Sequence, residues 1–510
     1  MTRTVRRLKR WTIRFHLYLG VVLCLLFVMW FATGIVLMYA PFPAFRQERQ
    51  LARMSPLDCR RCAVSLDSAL RAMHLRDTLS VVRLGMLLDR PAFRYLGLDA
   101  RWHLLLADDG SSLRAIAPRE AVRIASAYAG LTEGQSRGST LITAPDQWTV
   151  EGNLRQELPL HRVEFGDSAH TIVYVSDGGG EALLATTRRE RALSWLGAIP
   201  HWIYPRMLRS RLATWTWTII VLSSLGLLST AAGIGIGIWQ FRFRRRMSAA
   251  GRTLRRSPYR TGWMRWHHYL GLLFGLTTFT WMLSGLLSVN PLEWSPGNEA
   301  EPRERLSFAG GAVDGSRFQL SPGEAVRVAQ GEIAPRELRA IMVVGRPYWV
   351  AYESAARTRL VPADAAAPRP QASLERSLLM TAAKSLLPAA HMKVASDLRE
   401  RDDYYYDTAD RIATLPVLYV AFDDREHSAF YLDPRTGTIA MKQVTRSRIE
   451  RWLYTGLHDF DFHALYERRP LWDVVVIMLS LGGLALALAG AVAAWRWTAH
   501  RLGIAAGPRR

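Results

Sequence analysis

Four long apolar runs divide this 510-residue chain and limit its possible folds more than any other feature. A helix needs about 20 predominantly apolar residues to cross a bilayer, and within lipid its backbone polar groups must be satisfied internally. The runs therefore predict four transmembrane helices separated by long polar stretches and a short loop. They lie near residues 15–39, 213–239, 268–289 and 472–494.

The net charge of +22 could suggest a nucleic-acid partner, but its distribution indicates a membrane protein. Segments 1–10, 240–262 and 495–510 carry 17 of these charges, contain no acid, and flank the apolar runs. Cytoplasmic loops of membrane proteins are enriched in Lys and Arg. We therefore expect both termini and the basic loop Arg242–Arg260 in the cytoplasm and no nucleic-acid partner. In a Gram-negative bacterium, both long stretches would then lie in the periplasm.

Cysteine is rare, with Cys24 in the first run and a C-x-x-C motif at Cys59 and Cys62. Covalent attachment of a c-type haem would need histidine after the second cysteine, and Ala63 excludes it. An oxidising compartment permits a local disulfide. A disulfide or two free thiols are favoured over a redox-active pair.

The two halves of the chain resemble each other, which indicates an internal duplication. Arg14–Gly20 matches Arg265–Gly271 at five of seven positions, with an offset of 251 residues. Later matches, such as His201 with His458 and Trp215 with Trp472, have an offset of 257. Two halves in one orientation predict a pseudo-twofold axis along the membrane normal.

The predicted fold class is an α+β membrane protein with four transmembrane helices and two outer α+β domains, each large enough for its own core. Ser65–Met73 and Ser321–Gln330 are predicted helices. His170–Leu184 and His427–Ile439 are predicted hairpins. The expected boundaries are 1–40 for the cytoplasmic N-terminus and first helix, 41–212 for the first domain, 213–241 for the second helix, 242–263 for the basic loop, 264–290 for the third helix, 291–470 for the second domain, and 471–510 for the fourth helix and tail.

Histidines recur at matched positions beside these runs, and ionisable groups there are candidate functional residues. His16 and His201 lie at opposite membrane faces, so they cannot bind one metal ion. The pseudo-twofold axis predicts instead that His16 pairs with His267 or His268, and His201 with His458. Two histidines from two helices provide the axial ligands of a six-coordinate b-type haem. We expect one or two haems b, with iron bound by these residues.

Gly20 and Gly271 follow His16 and His267 by four residues, on the same helix face. They are candidate cofactor-binding positions because a missing side chain leaves room for a macrocycle. Close helix packing through small residues is the equal alternative. Zinc is less favoured because no clustered Cys/His set is present. No catalytic nucleophile motif is evident, and Gly233–Gly237 lies within a span, where no dinucleotide fingerprint is expected.

Six motifs, most of them in the second half, are distinctive. They are RWHHYLGLLFG at Arg265–Gly275, WMLSGLLSVNP at Trp281–Pro291, RWLYTGLHDFDF at Arg451–Phe462, RPLW at Arg469–Trp472, DYYY at Asp403–Tyr406 and YLDPRTG at Tyr431–Gly437. With them the chain resembles the PepSY-associated transmembrane family over nearly its whole length. Ile199–Trp202 departs from the usual Leu-His pattern around His201. The resemblance implies a bacterial inner-membrane protein with periplasmic PepSY-like domains, some relatives being ferric-siderophore reductases that bind b haems between their spans.

These observations predict a haem-dependent reductase embedded in membrane lipid. Electrons from a quinol or a cytoplasmic reductase would cross the membrane to a periplasmic ferric siderophore or other iron chelate. A non-enzymatic PepSY module that binds and regulates a partner is the alternative. A permease accessory protein ranks last, because few charges lie within the spans and no polar substrate path is evident.

Overall fold

A computed structural model describes residues 3–75, 82–97, 99, 101–241, 256–259, 262–408 and 412–503. The chain forms two compact units. A membrane unit comprises Met1–Phe42, Ala192–Ser295 and Ile449–Arg510, and a sheet unit comprises Pro43–Arg191 and Pro296–Arg448. Most of the predicted basic loop, together with Arg509 and Arg510, lies outside the described residues.

Four helices long and apolar enough to cross a membrane build the membrane unit, which confirms the prediction from hydropathy. They are α1 (Arg3–Leu37), α2 (Leu212–Gln240), α3 (Trp263–Leu287) and α4 (Leu471–Arg501). Helices α1 and α3, the first long helix of each half, each pack against both α2 and α4, the last long helix of each half. First and last helices therefore alternate around the bundle. The short helices of this unit include Ala198–His201, Arg206–Arg209, Leu457–Asp459 and His463–Tyr466.

Small residues allow close contact between these helices at equivalent positions of the two halves. A Cβ atom at Gly226 in α2 would lie 3.0 Å from the sulfur of Met282 in α3. A Cβ atom at Gly483 in α4 would overlap the ring of Phe31 in α1. Such positions are typical of membrane helix packing, in which small residues admit large neighbours.

Antiparallel strands form three sheets in the described part of the sheet unit. The largest has seven strands in the order β11-β10-β9-β1-β2-β3-β4, and two four-stranded sheets have the orders β5-β6-β7-β8 and β12-β13-β14-β15. The strands are β1 (Arg83–Leu87), β2 (Arg90–Leu96), β3 (Trp102–Leu106), β4 (Ser112–Leu113), β5 (Ser136–Ile142), β6 (Leu160–Phe165), β7 (Ile172–Ser176), β8 (Ala182–Thr186), β9 (Glu337–Val343), β10 (Arg346–Tyr352), β11 (Thr358–Pro362), β12 (Met392–Leu398), β13 (Val417–Phe422), β14 (Ala429–Asp433) and β15 (Thr438–Gln443).

The predicted helices and hairpins of this unit are present. The side chains of Ser65 and Ser321 accept hydrogen bonds from backbone N–H groups in the first turns of their helices, which is the usual role of an N-cap serine. The predicted hairpins correspond to β7–β8 and β14–β15. The main helices are Gln47–Arg53, Leu66–Ala72, Pro118–Ala129, Gly152–Gln156, Pro302–Ala309, Pro322–Gln330 and Arg376–Leu386.

The duplication is visible in the element boundaries, since β2, β3 and β5 recur as β10, β11 and β12 at an offset of 256. Strand β1 pairs with β9, and Arg83 lies opposite its own equivalent, Arg339. Residues of both halves, including Phe93 and Trp349, share one core. Each outer stretch also has a core of its own, between Leu87 and Ala182 in the first half and, apart from Leu51, between Phe308 and Leu432 in the second. The shared core was not expected, and it forms because β1 and β9 would otherwise leave unpaired edges.

The C-x-x-C motif forms a local disulfide between Cys59 and Cys62. Cys24 is a free, half-buried thiol in α1. Of the alternatives left open by the sequence, the structure therefore supports the disulfide.

Candidate functional site: two histidine pairs in the membrane unit

The structure brings His16 of α1 and His267 of α3 together, with ring centroids 6.1 Å apart and ring planes inclined by 33°. Nδ1 of His16 lies 2.9 Å from the carbonyl oxygen of Ser229, and Nδ1 of His267 lies 3.3 Å from that of Leu486. A carbonyl oxygen only accepts hydrogen bonds, so both Nδ1 atoms carry the proton. This leaves a lone pair on Nε2 of each ring.

Glycines on neighbouring helices lie against both rings. A Cβ atom at Gly233 of α2 would lie 2.8 Å from Cε1 of His16, and one at Gly490 of α4 would lie 3.2 Å from Cε1 of His267. The two glycines are equivalent at an offset of 257. A side chain at either position would press on its imidazole, so the glycines help to set the ring positions.

His268 is not part of this pair. Its Nε2 donates to the carbonyl oxygen of Gly237 at 3.0 Å, and its Nδ1 accepts from the hydroxyl of Ser257 at 2.9 Å. Because both ring nitrogens are engaged, neither offers a free lone pair. Of the two adjacent histidines that the sequence left open, the structure places His267 opposite His16.

The second pair is formed by His201 and His458, with ring centroids 6.2 Å apart and planes inclined by 67°. Each histidine lies in a short helix before the last long helix of its half. A Cβ atom at Gly34 of α1 would lie 3.2 Å from the His201 ring, and one at Gly285 of α3 would lie 3.9 Å from the His458 ring. Matched glycines therefore contact this pair too, more tightly in the first half.

Hydrogen bonds orient the second pair in the same sense as the first. Nδ1 of His201 lies 3.1 Å from the carbonyl oxygen of Trp30 and 3.3 Å from the hydroxyl of Thr33. Nδ1 of His458 lies 2.9 Å from the hydroxyl of Ser284, whose proton goes to the carbonyl oxygen of Trp281. Both Nδ1 atoms are therefore donors, and both Nε2 atoms keep their lone pairs.

Tryptophans hold the backbone that carries these two histidines. The indole N–H of Trp30 donates to the carbonyl oxygen of His201, and that of Trp281 to His458, each at 2.9 Å. Trp215 and Trp472 donate in the same matched way to Trp202 and Asp459, each at 3.0 Å. These four hydrogen bonds fix the backbone of the turns that contain His201 and His458.

Both histidine-bearing turns contain a residue in the left-handed region. Two residues after His201, Ile203 has a φ of 50°, and two residues after His458, Phe460 has a φ of 52°. A β-branched residue such as isoleucine seldom has this conformation, and backbone strain of this kind persists where the surrounding structure fixes it. The matched strain indicates that the turn geometry is retained in both halves.

The two pairs lie at opposite ends of the bundle. Gly34, which contacts His201, follows His16 by 18 residues, and Gly285 follows His267 by the same number. Eighteen residues correspond to about 27 Å of helix rise. This matches the expectation that His16 and His201 cannot bind one metal ion.

The donor set fits a haem iron held from both sides. Two metal–imidazole bonds of about 2.0 Å, each with a further ~1.1 Å from nitrogen to ring centre, would separate the two imidazole centroids by roughly 6.2 Å. The observed separations are 6.1 and 6.2 Å. Ligating histidines also donate their other ring N–H to a protein acceptor, as all four do here. Among the described residues, no group of three or more His, Cys, Asp or Glu could hold a metal ion.

The two glycines selected from the sequence have a different environment from that of Gly233 and Gly490. A Cβ atom at Gly20 would have no neighbour within 4 Å, and one at Gly271 would be in ordinary contact with Leu486 at 3.7 Å. Neither supports close helix packing, and Gly20 faces open space. Sequence reasoning missed Gly233 and Gly490 as histidine contacts. The signal was that Gly490 follows Gly233 by 257 residues, the same offset that relates other matched positions of the second and fourth helices.

The surroundings of the second pair differ between the halves. In the second half, Arg451 and Asp461 form a buried ion pair at 2.8 Å, with side-chain exposures of 8% and 7%. Arg451 begins a π-helical turn, Arg451–Gly456, that leads to His458. Burial, together with Asp461, raises the pKa of Asp459 to about 7. The first half has Ser194, Trp202 and Tyr204 at the equivalent positions.

Comparison with known proteins adds no assignment: no family model matches the chain, and no curated protein matches it.

Proposed function

We propose that the chain is a haem b protein of the bacterial inner membrane that carries electrons outward to reduce a periplasmic ferric siderophore or similar chelate. The observation that supports this most is the pair of histidine sites. Each has two imidazoles about 6 Å apart, Nδ1 atoms that donate to the protein, and Nε2 atoms that keep their lone pairs. The sites recur at opposite ends of one four-helix bundle.

In this proposal His16 and His267 hold one haem, and His201 and His458 hold the other. Bound haem supplies a one-electron carrier whose iron alternates between Fe(III) and Fe(II). The residues of the chain fix the ligand tautomers and ring positions. Acceptors on Nδ1 also increase the basicity of the ligating nitrogen.

An aromatic cluster lies beside the second histidine pair, where the indole N–H of Trp281 donates to the carbonyl oxygen of His458. Phe31 and Trp281 lie in contact, with ring centroids 5.7 Å apart, in a buried cluster with Ala487. Half-buried Phe27 and Phe460 pack against this cluster. Such packing surrounds the second pair with apolar side chains within the bundle, which supports haem binding at this end.

The electron donor in this proposal is a quinol or a cytoplasmic reductase on the side of His16 and His267. One electron converts the Fe(III) of the chelate to Fe(II), which siderophore ligands bind less strongly. The orientation follows from the basic segments at the termini and in the short loop. The ferric acceptor follows from the resemblance to PepSY-associated transmembrane proteins.

Anaerobic mixing of the reduced, detergent-purified protein with a ferric hydroxamate chelate tests this function. We expect the reduced α band to disappear while Fe(II) accumulates in a ferrous-specific dye, one Fe(II) for each electron lost. His201→Ala should abolish rapid transfer, and His268→Ala, the matched control, should not. Oxidation no faster in the wild-type protein than in His201→Ala would exclude the reductase, and a protein without haem would favour the regulatory module.

A further inference from the structure

The sheet unit contains a cavity of about 220 Å³ with an unusual concentration of arginine. Arg46, Arg49 and Arg53, on or next to the helix Gln47–Arg53, line it together with Tyr128 and Thr171. The cavity lies wholly within this unit and has no part in the histidine sites.

The positive charge of the cavity is not matched by acids. The side chains of Arg46 and Arg49 have no ion-pair partner within the part of the chain that the structure describes. Arg53 lies over the Tyr128 ring, 4.8 Å from its centroid. The one acid lining the cavity is Glu190, whose carboxylate accepts from the backbone N–H and hydroxyl of Thr187 at 2.8 and 3.0 Å. Three guanidinium groups therefore line the cavity together with a single carboxylate, which already accepts hydrogen bonds from Thr187.

A second, smaller cavity of about 90 Å³ is also lined by Arg53 and Tyr128, and its wall contains the carboxylate of Glu181 as well as arginines. Its wall includes Arg94, which is only 1% exposed. Nε of Arg94 lies 3.0 Å from Glu181, but its Nη1 has no hydrogen-bond partner among the described residues. A buried guanidinium with an unsatisfied N–H is costly unless a ligand or water supplies an acceptor.

In the second half, acidic side chains neutralise the positive charge at the equivalent helix. Arg305 occupies the position of Arg49 at an offset of 256, and its guanidinium pairs with Glu299 at 3.0 Å. Nearby, Lys442 pairs with Glu304 at 2.6 Å. The two halves therefore share a basic helix, but the second half supplies its own counter-ions. The excess charge is specific to the cavity of the first half.

We propose that this cavity binds a small polycarboxylate anion of about the size of citrate. Guanidinium groups match carboxylates in bidentate geometry, and three arginines suit two or three carboxylates. The volume of about 220 Å³ is several times the roughly 30 Å³ that one water molecule occupies, so a ligand of this size can enter. The Tyr128 ring and Leu183 add an apolar wall that a carbon skeleton can contact and inorganic phosphate cannot. The inference goes beyond the proposed electron transfer and does not depend on haem.

Calorimetric titration of the full-length protein in detergent with citrate tests the proposal, at constant ionic strength. Wild-type protein should bind one citrate per chain, and Arg49→Gln should weaken binding at least about tenfold, because a charged hydrogen-bond partner is lost. Arg305→Gln, at the equivalent position, should leave the affinity unchanged.

Three results would overturn the site: no citrate binding at about 10 mM, equal weakening by Arg49→Gln and Arg305→Gln, or tighter binding of phosphate than of citrate. Thermal melting provides a second readout, since a ligand that binds only the folded protein stabilises it. Citrate should raise the melting temperature of wild-type protein and of Arg305→Gln, but not of Arg49→Gln.

Discussion

The segment that carries His201 and the one that carries His458 have the same backbone design but different charges. In both, a tryptophan N–H donates to the carbonyl oxygen of the histidine, and the residue two positions later has a positive φ. Beyond this, the first half has Trp202 and Tyr204, and the second half has Asp459 and Asp461 at the same places. The duplication has kept the geometry of the imidazoles and changed the electrostatics around them.

The His16–His267 pair provides a contrast, because its two halves remain alike. Each ring donates to a backbone carbonyl at equivalent positions, Ser229 and Leu486, and each faces an equivalent glycine. Divergence is thus concentrated at the other end of the bundle. In the proposed electron path that end would meet the acceptor, and the unequal surroundings of His201 and His458 distinguish it from the end with His16 and His267.

The largest effect is expected from breaking the ion pair that occurs in the second half. Asp461→Asn leaves Arg451 buried without its carboxylate, which should cost about 3 kcal/mol of unfolding free energy. The matched control in the first half is Tyr204→Phe, which removes no ion pair and should cost much less. Denaturant unfolding of detergent-solubilised variants measures both. Equal destabilisation by the two substitutions would contradict the difference drawn between the halves.

The next prediction concerns Glu157 in the sheet unit, whose equivalent is the uncharged Thr414. Burial, assisted by the charge of Glu181, raises the pKa of Glu157 from 4.5 to about 7. The folded protein therefore holds this proton at pH values where the unfolded chain has released it. Stability from this group is complete below pH 4.5 and falls as the pH rises towards 7, by up to about 3 kcal/mol.

Glu157→Gln keeps the shape and removes the titration. Relative to wild type, the variant should melt at a higher temperature at pH 8 and at nearly the same temperature at pH 4.5. Thermal unfolding at the two pH values measures the difference. A pH-independent difference between variant and wild type would show that Glu157 does not titrate as described.

A smaller effect is expected from the hydroxyl groups beside the second histidine pair. Ser284 is the Nδ1 partner of His458, whereas His201 has a backbone carbonyl as well as the equivalent Thr33. Ser284→Ala should therefore weaken haem retention about tenfold, as loss of a ligand's hydrogen-bond partner does elsewhere. Thr33→Ala should change it little. Competition with apomyoglobin for haem measures retention, and the reverse order would refute the assigned partners.

The smallest effect is expected at the matched glycines of the same pair. A Cβ atom at Gly34 would lie 3.2 Å from the His201 ring, but one at Gly285 would lie 3.9 Å from the His458 ring. Gly34→Ala should shift the ring and broaden the α band, and Gly285→Ala should leave the spectrum unchanged. Low-temperature spectra of the two variants provide the measurement, and identical spectra would indicate that the two contacts are equivalent.

Much of the membrane unit could be predicted because hydropathy is a local signal and the repeat offset can be found by comparing the two halves of the sequence. They were enough to pair His16 with the third helix and His201 with His458. They could not choose between His267 and His268, because that choice depends on which face of α3 meets Leu486 of α4 and Ser257 before α3. The pairing of β1 with β9 could likewise not be predicted, because pairing between the edges of distant strands leaves no local pattern in the sequence.

Haem content per chain, measured with the reduced-minus-oxidised spectrum of detergent-purified protein, tests the central claim most directly. The account predicts a b-type α band and two haems in the wild type and in His268→Ala. Substitution of His16, His267, His201 or His458 by alanine should leave about one haem, one for each intact histidine pair. A folded wild type without haem, or a loss of haem in His268→Ala but not in His267→Ala, would contradict it.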